Sequence, residues 1–482
     1  MERKLLTKRD IYFVVVFILS LLFVSTFFYG GQKVEDEVSY GATTPTSSTS
    51  WTASPSYYDT SWSGSGTASS PYLITTPAEL AGLAYRVDAG TTYSGKYFRQ
   101  TANLNLRAHY WDPIGDSTSK SFQGYYDGGE HTITNLIIDN PSSSISYPGL
   151  FSYISGATIE NITIASSYIA NYEYGGLGFI AGYATDSIIE NCHTASSNLV
   201  YVSNDDHSIG AGGIVGLAQT GAIIRGCSNA TDIDVPKNSA SGGSYAGGIC
   251  GSLEYRDNII IDCYNEGSIT VSGWFEDGNM IQSIGGICGG SGPSTISGCY
   301  NEGYVGGASC AGGILGATDH GNTSSGNSIV KDCYNNGEVV GMYVGGIIGK
   351  PVSTGPTYIL NCYNTASLSG IESYADIGGI SGYNFTELYI INCFNVGRVP
   401  SGGAGILARN ASGPSINPSL SNNYYGGNCN AEFGMGPSYN PSNTGCTKIT
   451  NLNTTSYARS KSWYTNSSNW NRSYPWDFDT IW

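Results

Sequence analysis

Seven cysteines of this chain sit in one local frame, and six of them are followed two residues later by asparagine. The frame reads IIENC at Cys192, IIRGCSN at Cys227, IIIDCYNEG at Cys263 and TISGCYNEGYV at Cys299. It continues as IVKDCYNNGEV at Cys333, YILNCYNTA at Cys362 and YIINCFNVGRV at Cys393. The steps between them are 35, 36, 36, 34, 29 and 31 residues. A fixed phase with variable spacing marks a solenoid, in which each turn buries its core against its neighbours and insertions fall in loops.

Aligned on cysteine, the repeat gives an inside and an outside. Three residues earlier stand Ile189, Ile224, Ile260, Ile296, Val330, Ile359 and Ile390, an inward β-branched column. Two residues earlier stand Glu190, Arg225, Ile261, Ser297, Lys331, Leu360 and Ile391, a column that tolerates charge and faces out. Immediately before cysteine only Asn, Asp or Gly occurs: Asn191, Gly226, Asp262, Gly298, Asp332, Asn361 and Asn392. These types accept positive φ, so a one-residue left-handed bend is expected there. Cysteine then turns inward again.

A second block, AGGIVG, AGGICG, IGGICG, AGGILG, VGGIIG and IGGISG, alternates with the first and suits a tight corner opening a short strand. With 66 glycines, 37 tyrosines and only 12% charged residues, the chain has the material for strands and bends rather than helices. Short strands that cannot pair locally pair with the next turn. The expected fold is all-β: a parallel β-helix of about ten turns. Stacking at about 4.8 Å places Asn229, Asn265, Asn301, Asn335, Asn364 and Asn395 in an amide ladder beside a column of thiols. In-register Cβ atoms at that spacing exceed the roughly 3.8 Å of a disulfide, so the column is read as free thiols. Cys429 and Cys446, outside the frame, are the candidate disulfide.

The ends differ. Arg3, Lys4, Lys8 and Arg9 precede an apolar run from Ile11 to Tyr29, which makes residues 1–32 a signal peptide or a membrane anchor. Either implies export to the cell surface or beyond, with membrane contact through this segment only. Residues 33–61, rich in Ser and Thr, read as a flexible stalk. Residues 62–164 hold a cap and the first turns: Thr76-Pro77-Ala78-Glu79 is a capping box, and Leu80, Leu83, Ala84 and Val87 share one helical face. Leu136 and Ile162 are expected in the cysteine slot after Asn135 and Asn161. Residues 165–427 carry the repeats, with Asn423 in the last cysteine slot, and residues 428–482 form a tail that closes with WDFDTIW.

The glycine block, the N-C-Y-N-x-G frame and the stretch from GSGTASSPYLIT to FQGYYDGGEHTI resemble exported prokaryotic proteins with GLUG-type repeats. That resemblance spans roughly residues 62–482 and implies a right-handed parallel β-helix and an adhesin-like, surface-associated role.

Chemistry was sought on this scaffold. A net charge of −16 argues against nucleic acid. Asp262 and Asp332 share the bend column two turns apart, and Asp205-Asp206-His207 and Glu276-Asp277-Gly278-Asn279 lack calcium-loop spacing. His131 lies in a corner, and His109, His193 and His320 have no partner at metal-binding spacing. No cofactor, metal or catalytic residue is expected, and the exported part is expected to be monomeric. The residues after cysteine, Tyr264, Tyr300, Tyr334, Tyr363 and Phe394, form an outward aromatic strip. Such a strip binds sugars or partner surfaces, or simply stacks across strands and stabilises the sheet. The leading function is a non-enzymatic adhesin-like or structural protein binding glycans or surface partners along its face. The alternative is a polysaccharide lyase or glycoside hydrolase on the same scaffold.

Overall fold

A computed structural model describes residues 44–139, 145–171, 175–202, 209–236, 244–272, 282–318, 326–411, 418–426, 428–431, 434–436 and 444–449, with Asn469, Asn471 and Ser473. The leader, the loop charges at 205–207 and 276–279, His320 and the closing WDFDTIW lie outside the described residues.

The chain folds as an all-β parallel β-solenoid with one short α-helix near its N-terminus. Among the described residues, a 22-stranded sheet carries the cysteine frame, and sheets of nine and ten strands carry the two sides of the glycine corner. The nine-stranded sheet starts at Phe151–Ser155 and ends at Leu407–Asn410, so its strands enclose about eight circuits, slightly fewer than the ten expected. Successive turns pair in parallel and in register: Ile189 with Ile224, Ile260 with Ile296, Tyr264 with Tyr300 and Asn265 with Asn301.

The bend before cysteine is left-handed in every turn. Asn161, Asn191, Asp262, Asp332, Asn361, Asn392 and Asn422 have φ between 50° and 59°. Gly226 and Gly298, in the same column, have φ of 61° and 63°. One positive-φ residue resets the alternation of side chains, which is why isoleucine and cysteine three positions apart both point inward. Both columns are fully buried. Each buried isoleucine contributes on the order of 1.5–3 kcal/mol.

The asparagine ladder joins the two sequence motifs. Asn229, Asn265, Asn301, Asn335 and Asn364 each donate Nδ2–H to Oδ1 of the next asparagine at 2.8–2.9 Å. Each also donates to a backbone carbonyl two residues on, at 2.7–3.0 Å, so these buried amides are satisfied. The second glycine of each corner lies against the amide: a Cβ on Gly286 would stand 2.2 Å from Asn301 Cγ. The glycine pair therefore makes room for the asparagine, and neither motif works without the other.

All twelve cysteines are buried and free. The Cys192, Cys227 and Cys299 backbone N–H groups each donate to the sulfur of the next turn's cysteine at 3.4 Å, and burial pushes the Cys192, Cys263 and Cys333 thiols up. Asn423 takes the last expected slot, accepting from the Cys393 N–H at 3.0 Å.

Three expectations are corrected. The disulfide between Cys429 and Cys446 is not formed. The strand Cys446–Ile449 adds a further turn: Cys446 pairs with Asn423 and follows the left-handed Gly445, so it belongs to the thiol column. Burial pushes its pKa up to about 12. Second, the Ser/Thr-rich stalk is docked from residue 44 onward. Trp51 is buried and donates Nε1–H to the Leu106 carbonyl at 3.1 Å, and Thr52 binds Asp112 through both its N–H and its hydroxyl. Three aromatics of residues 44–61, Trp51, Tyr57 and Tyr58, supply the surface that the missing aliphatics do not. Third, the first-turn partner of Ile162 is His131, not Leu136. The DGGEH corner inserts two residues and puts Gly129 and Glu130 at φ near 60°, which displaces the frame.

The helix Pro77–Asp88 begins with the expected capping box: Glu79 N–H donates to Thr76 Oγ1 at 3.2 Å, and Thr76 N–H donates back to Glu79 Oε2 at 2.9 Å. Leu80, Leu83, Ala84 and Val87 are buried.

Candidate functional site

The structure brings Tyr264, Tyr300, Tyr334, Tyr363 and Phe394 together in one outward column. Neighbouring ring centroids are 4.8–5.0 Å apart, and the planes are within 7° of parallel. The geometry decides what the strip can offer. Between Tyr264 and Phe394 each ring face is covered by the ring of the next turn, so the column presents mainly ring edges and hydroxyls; the exception is the outer face of Tyr264, whose register neighbour is Ser228. The tyrosines are half-buried and Phe394 is buried. Burial, with Tyr334, Tyr264, Glu302 and Glu266 close by, pushes the Tyr300 phenol up to about 12.

A second outward column runs four residues before cysteine: Ile188, Ile223, Ile259, Thr295, Ile329, Tyr358 and Tyr389. All are half-exposed. This column was legible in the repeat alignment, because it alternates with the inward isoleucines, but the sequence analysis did not use it. Between them runs the outward column two residues before cysteine, which carries Glu190, Arg225 and Lys331. The outer face therefore alternates apolar and polar on the earlier turns and is most apolar over the turns of Tyr358 and Tyr389, where that column holds Leu360 and Ile391.

A compact aromatic and basic cluster lies on the later turns and carries no repeat signature. Tyr383 and Phe385 are 4.1 Å apart at 48°, and Tyr343 and Tyr383 are 5.3 Å apart at 52°, so these rings are splayed rather than stacked. Arg409, the register partner of Tyr383, lies 4.4 Å over its ring and pairs with Asp376 at 3.4 Å. Lys350 Nζ lies 5.1 Å from the Tyr343 centroid and 5.0 Å from that of Phe385. Burial raises the Asp376 carboxyl, and Arg409 beside it opposes that shift.

The other chemical candidates hold structural places. Asp332 accepts Asn361 Nδ2–H at 2.9 Å, and Asp262 stands in the same bend column. His193 Nδ1 is 2.7 Å from Ser228 Oγ, and His109 stacks on Tyr57 at 4.1 Å. Among the described residues no group of three or more His, Cys, Asp or Glu could hold a metal ion. Among those residues, too, no helix is long and apolar enough to cross a membrane.

No family model matches the chain, so the GLUG resemblance rests on its motifs. Over 185 residues the chain is 27% identical to a protein named "Halomucin" from Haloquadratum walsbyi, which is 36% of this chain and 2% of that one. Over 113 residues it is 29% identical to a "Putative Gly-rich membrane protein" of Evansella cellulosilytica, 22% of this chain and 12% of that one. The chain thus spans only a small part of the length of either relative. A crystal structure titled as a "putative immunoglobulin A1 protease" from Bacteroides ovatus aligns with a TM-score of 0.32 at 18% identity, covering 80% of this chain and 85% of that one.

Proposed function

We propose that this chain is an exported, surface-exposed, non-enzymatic β-helix protein, adhesin-like or structural, that binds glycans or surface partners along its long face. The observation that carries the reading is the in-register outward aromatic column, which runs over five turns beside a half-exposed, mostly apolar column. Clustered exposed apolar and aromatic side chains of this kind mark interaction sites in soluble proteins. The basic, apolar N-terminal segment supports export, and the names of the two relatives, one a mucin and one a membrane protein, agree with a surface setting.

The test is binding of the exported chain to glycan arrays and to cell surfaces, with a Tyr300→Ala/Tyr334→Ala variant alongside. Binding lost in the variant supports the face as the contact surface. Unchanged binding removes the aromatic column from it.

A further inference from the structure

We infer that Tyr343, Lys350, Tyr383, Phe385 and Arg409 form a binding site for an acidic sugar, one bearing a carboxylate or a sulfate. The inference deepens the glycan-binding reading above and rests on it.

Lys350 and Arg409 bring two cations to this cluster in a chain with 37 acidic and 21 basic side chains, and only Arg409 of the two pairs with a carboxylate. Lys350 has none among the described residues; its ammonium is held by two aromatic rings instead. A ring face attracts the cation through its quadrupole and uses none of its N–H donors. All three donors of Lys350 therefore stay available for an anion. Arg409 adds a second cation on the same cluster, with one nitrogen on Asp376 and its Nε–H buried without a partner. That N–H is shut off from solvent, so the Lys350 ammonium is the group an anionic oxygen would meet.

The rings supply the other half of the recognition. A pyranose has apolar C–H faces that pack on an aromatic face, and such a face must be open. In the tyrosine column the faces between Tyr264 and Phe394 are closed by stacking, whereas here the rings are splayed by 48–52° and Phe385 is 38% exposed. An acidic sugar matches both features at once, with its ring on the exposed part of Phe385 and its anionic group on Lys350.

A peptide fits less well. The strand Ser381–Asn384 is paired on one side with Ile348–Lys350 and on the other with Leu407–Asn410. Ser381–Asn384 is therefore an interior strand, and the edge strand Leu407–Asn410 is already bridged at Leu407 to Met435, which limits strand addition, the main way a sheet captures an extended peptide.

The experiment is calorimetric titration of the full exported chain with oligogalacturonate, a neutral gluco-oligosaccharide of equal length and an oligoglutamate peptide. Wild type, Lys350→Gln and Phe385→Ala are compared, with circular dichroism confirming that each is folded. We expect oligogalacturonate to bind more tightly than the neutral sugar, with an affinity that falls as salt rises. Lys350→Gln should weaken it about tenfold or more, as for loss of a charge-assisted hydrogen bond, and should weaken the neutral sugar less, so that the preference for the acidic one falls. Phe385→Ala should weaken both sugars. Equal affinity for acidic and neutral sugars overturns the acidic class, and unchanged affinity in both variants overturns the site. Lys350-dependent binding of oligoglutamate at equal affinity overturns the sugar. If wild type binds arrays or cells through the tyrosine face while Lys350→Gln and Phe385→Ala leave that binding intact, this site fails and the broader reading stands. If wild type binds no glycan or surface, both fail.

Discussion

Asn301 and Gly286 carry the most concentrated demands of the repeat. Asn301→Ala removes the acceptor of Asn265, the donor to Asn335 and the donor to Gly303 in one step. Each buried group left unpaired costs about 1–3 kcal/mol, so the loss should be several kcal/mol by denaturant unfolding. Gly286→Ala should cost a similar amount, because its Cβ meets the Asn301 amide and the Gly313 carbonyl, 2.3 Å away. The double variant should cost less than the sum, a coupling that a double-mutant cycle measures directly. The thiols give a second residue-scale expectation. A thiol reagent should leave the native protein almost unmodified and titrate all twelve cysteines once it is denatured without reductant. Ten reactive thiols, twelve less one pair, would instead restore the Cys429–Cys446 disulfide. That pairing was the sequence's natural suggestion, because Cys446 lies 23 residues after Asn423 where the earlier steps are 29–36. The phase was kept and the spacing was not; only the left-handed Gly445 in front of Cys446 carried the signal.

At the scale of single elements, the cap helix makes two expectations. Thr76→Ala should remove the capping box at about 1 kcal/mol, read as an earlier thermal transition of the N-terminal region. Asp88, at the last position of the helix, is pushed up to about 7 by burial, although the Gly115 N–H donates to it at 2.9 Å and opposes the shift. A carboxyl raised in the folded state favours folding while protonated. Its contribution is therefore full below the ordinary carboxyl range and is lost as pH rises toward and through 7. The wild type should lose stability between pH 4 and 8 relative to Asp88→Asn, which keeps an acceptor for Gly115; thermal melts across that range check it. The helix itself was readable from Thr76-Pro77-Ala78-Glu79 because capping is local chemistry. The docking of residues 44–61 was not readable in the same way. It depends on where Trp51 and Thr52 land on Leu106 and Asp112, and such contacts leave no periodicity. The splayed cluster at Lys350 escaped for a related reason: Tyr343, Lys350, Tyr383 and Arg409 come from four strands, and Phe385 lies just past the end of one of them.

The molecule as a whole is a stack in which each turn touches mainly its neighbours, so a whole turn should be removable. Deleting residues 264–299 joins Cys263 to Tyr300 and keeps the frame. The shortened chain should stay folded with a somewhat lower transition temperature, whereas deleting half that length should abolish cooperative unfolding. Circular dichroism melts of the two deletions distinguish the cases. The overall architecture was legible because one column of Asn, Asp or Gly and one of isoleucine recur in phase through seven turns. The number of circuits was harder to read, because the first turns replace the frame with the DGGEH corner. The asparagine ladder has a further consequence, which concerns polymerisation. Its amides all point the same way, each donating a hydrogen bond to the next turn, so an unfinished stack ends in a donor awaiting an acceptor. Such an end would invite another copy of the same chain. Here the ladder is terminated: the Asn395 amide donates to the Gly397 carbonyl and has the Cys429 thiol within hydrogen-bonding reach, and Tyr425 fills the asparagine position of the following turn against Gly405. A bulky ring in place of the next amide acts as a chain stopper, and the self-templating column ends inside one molecule.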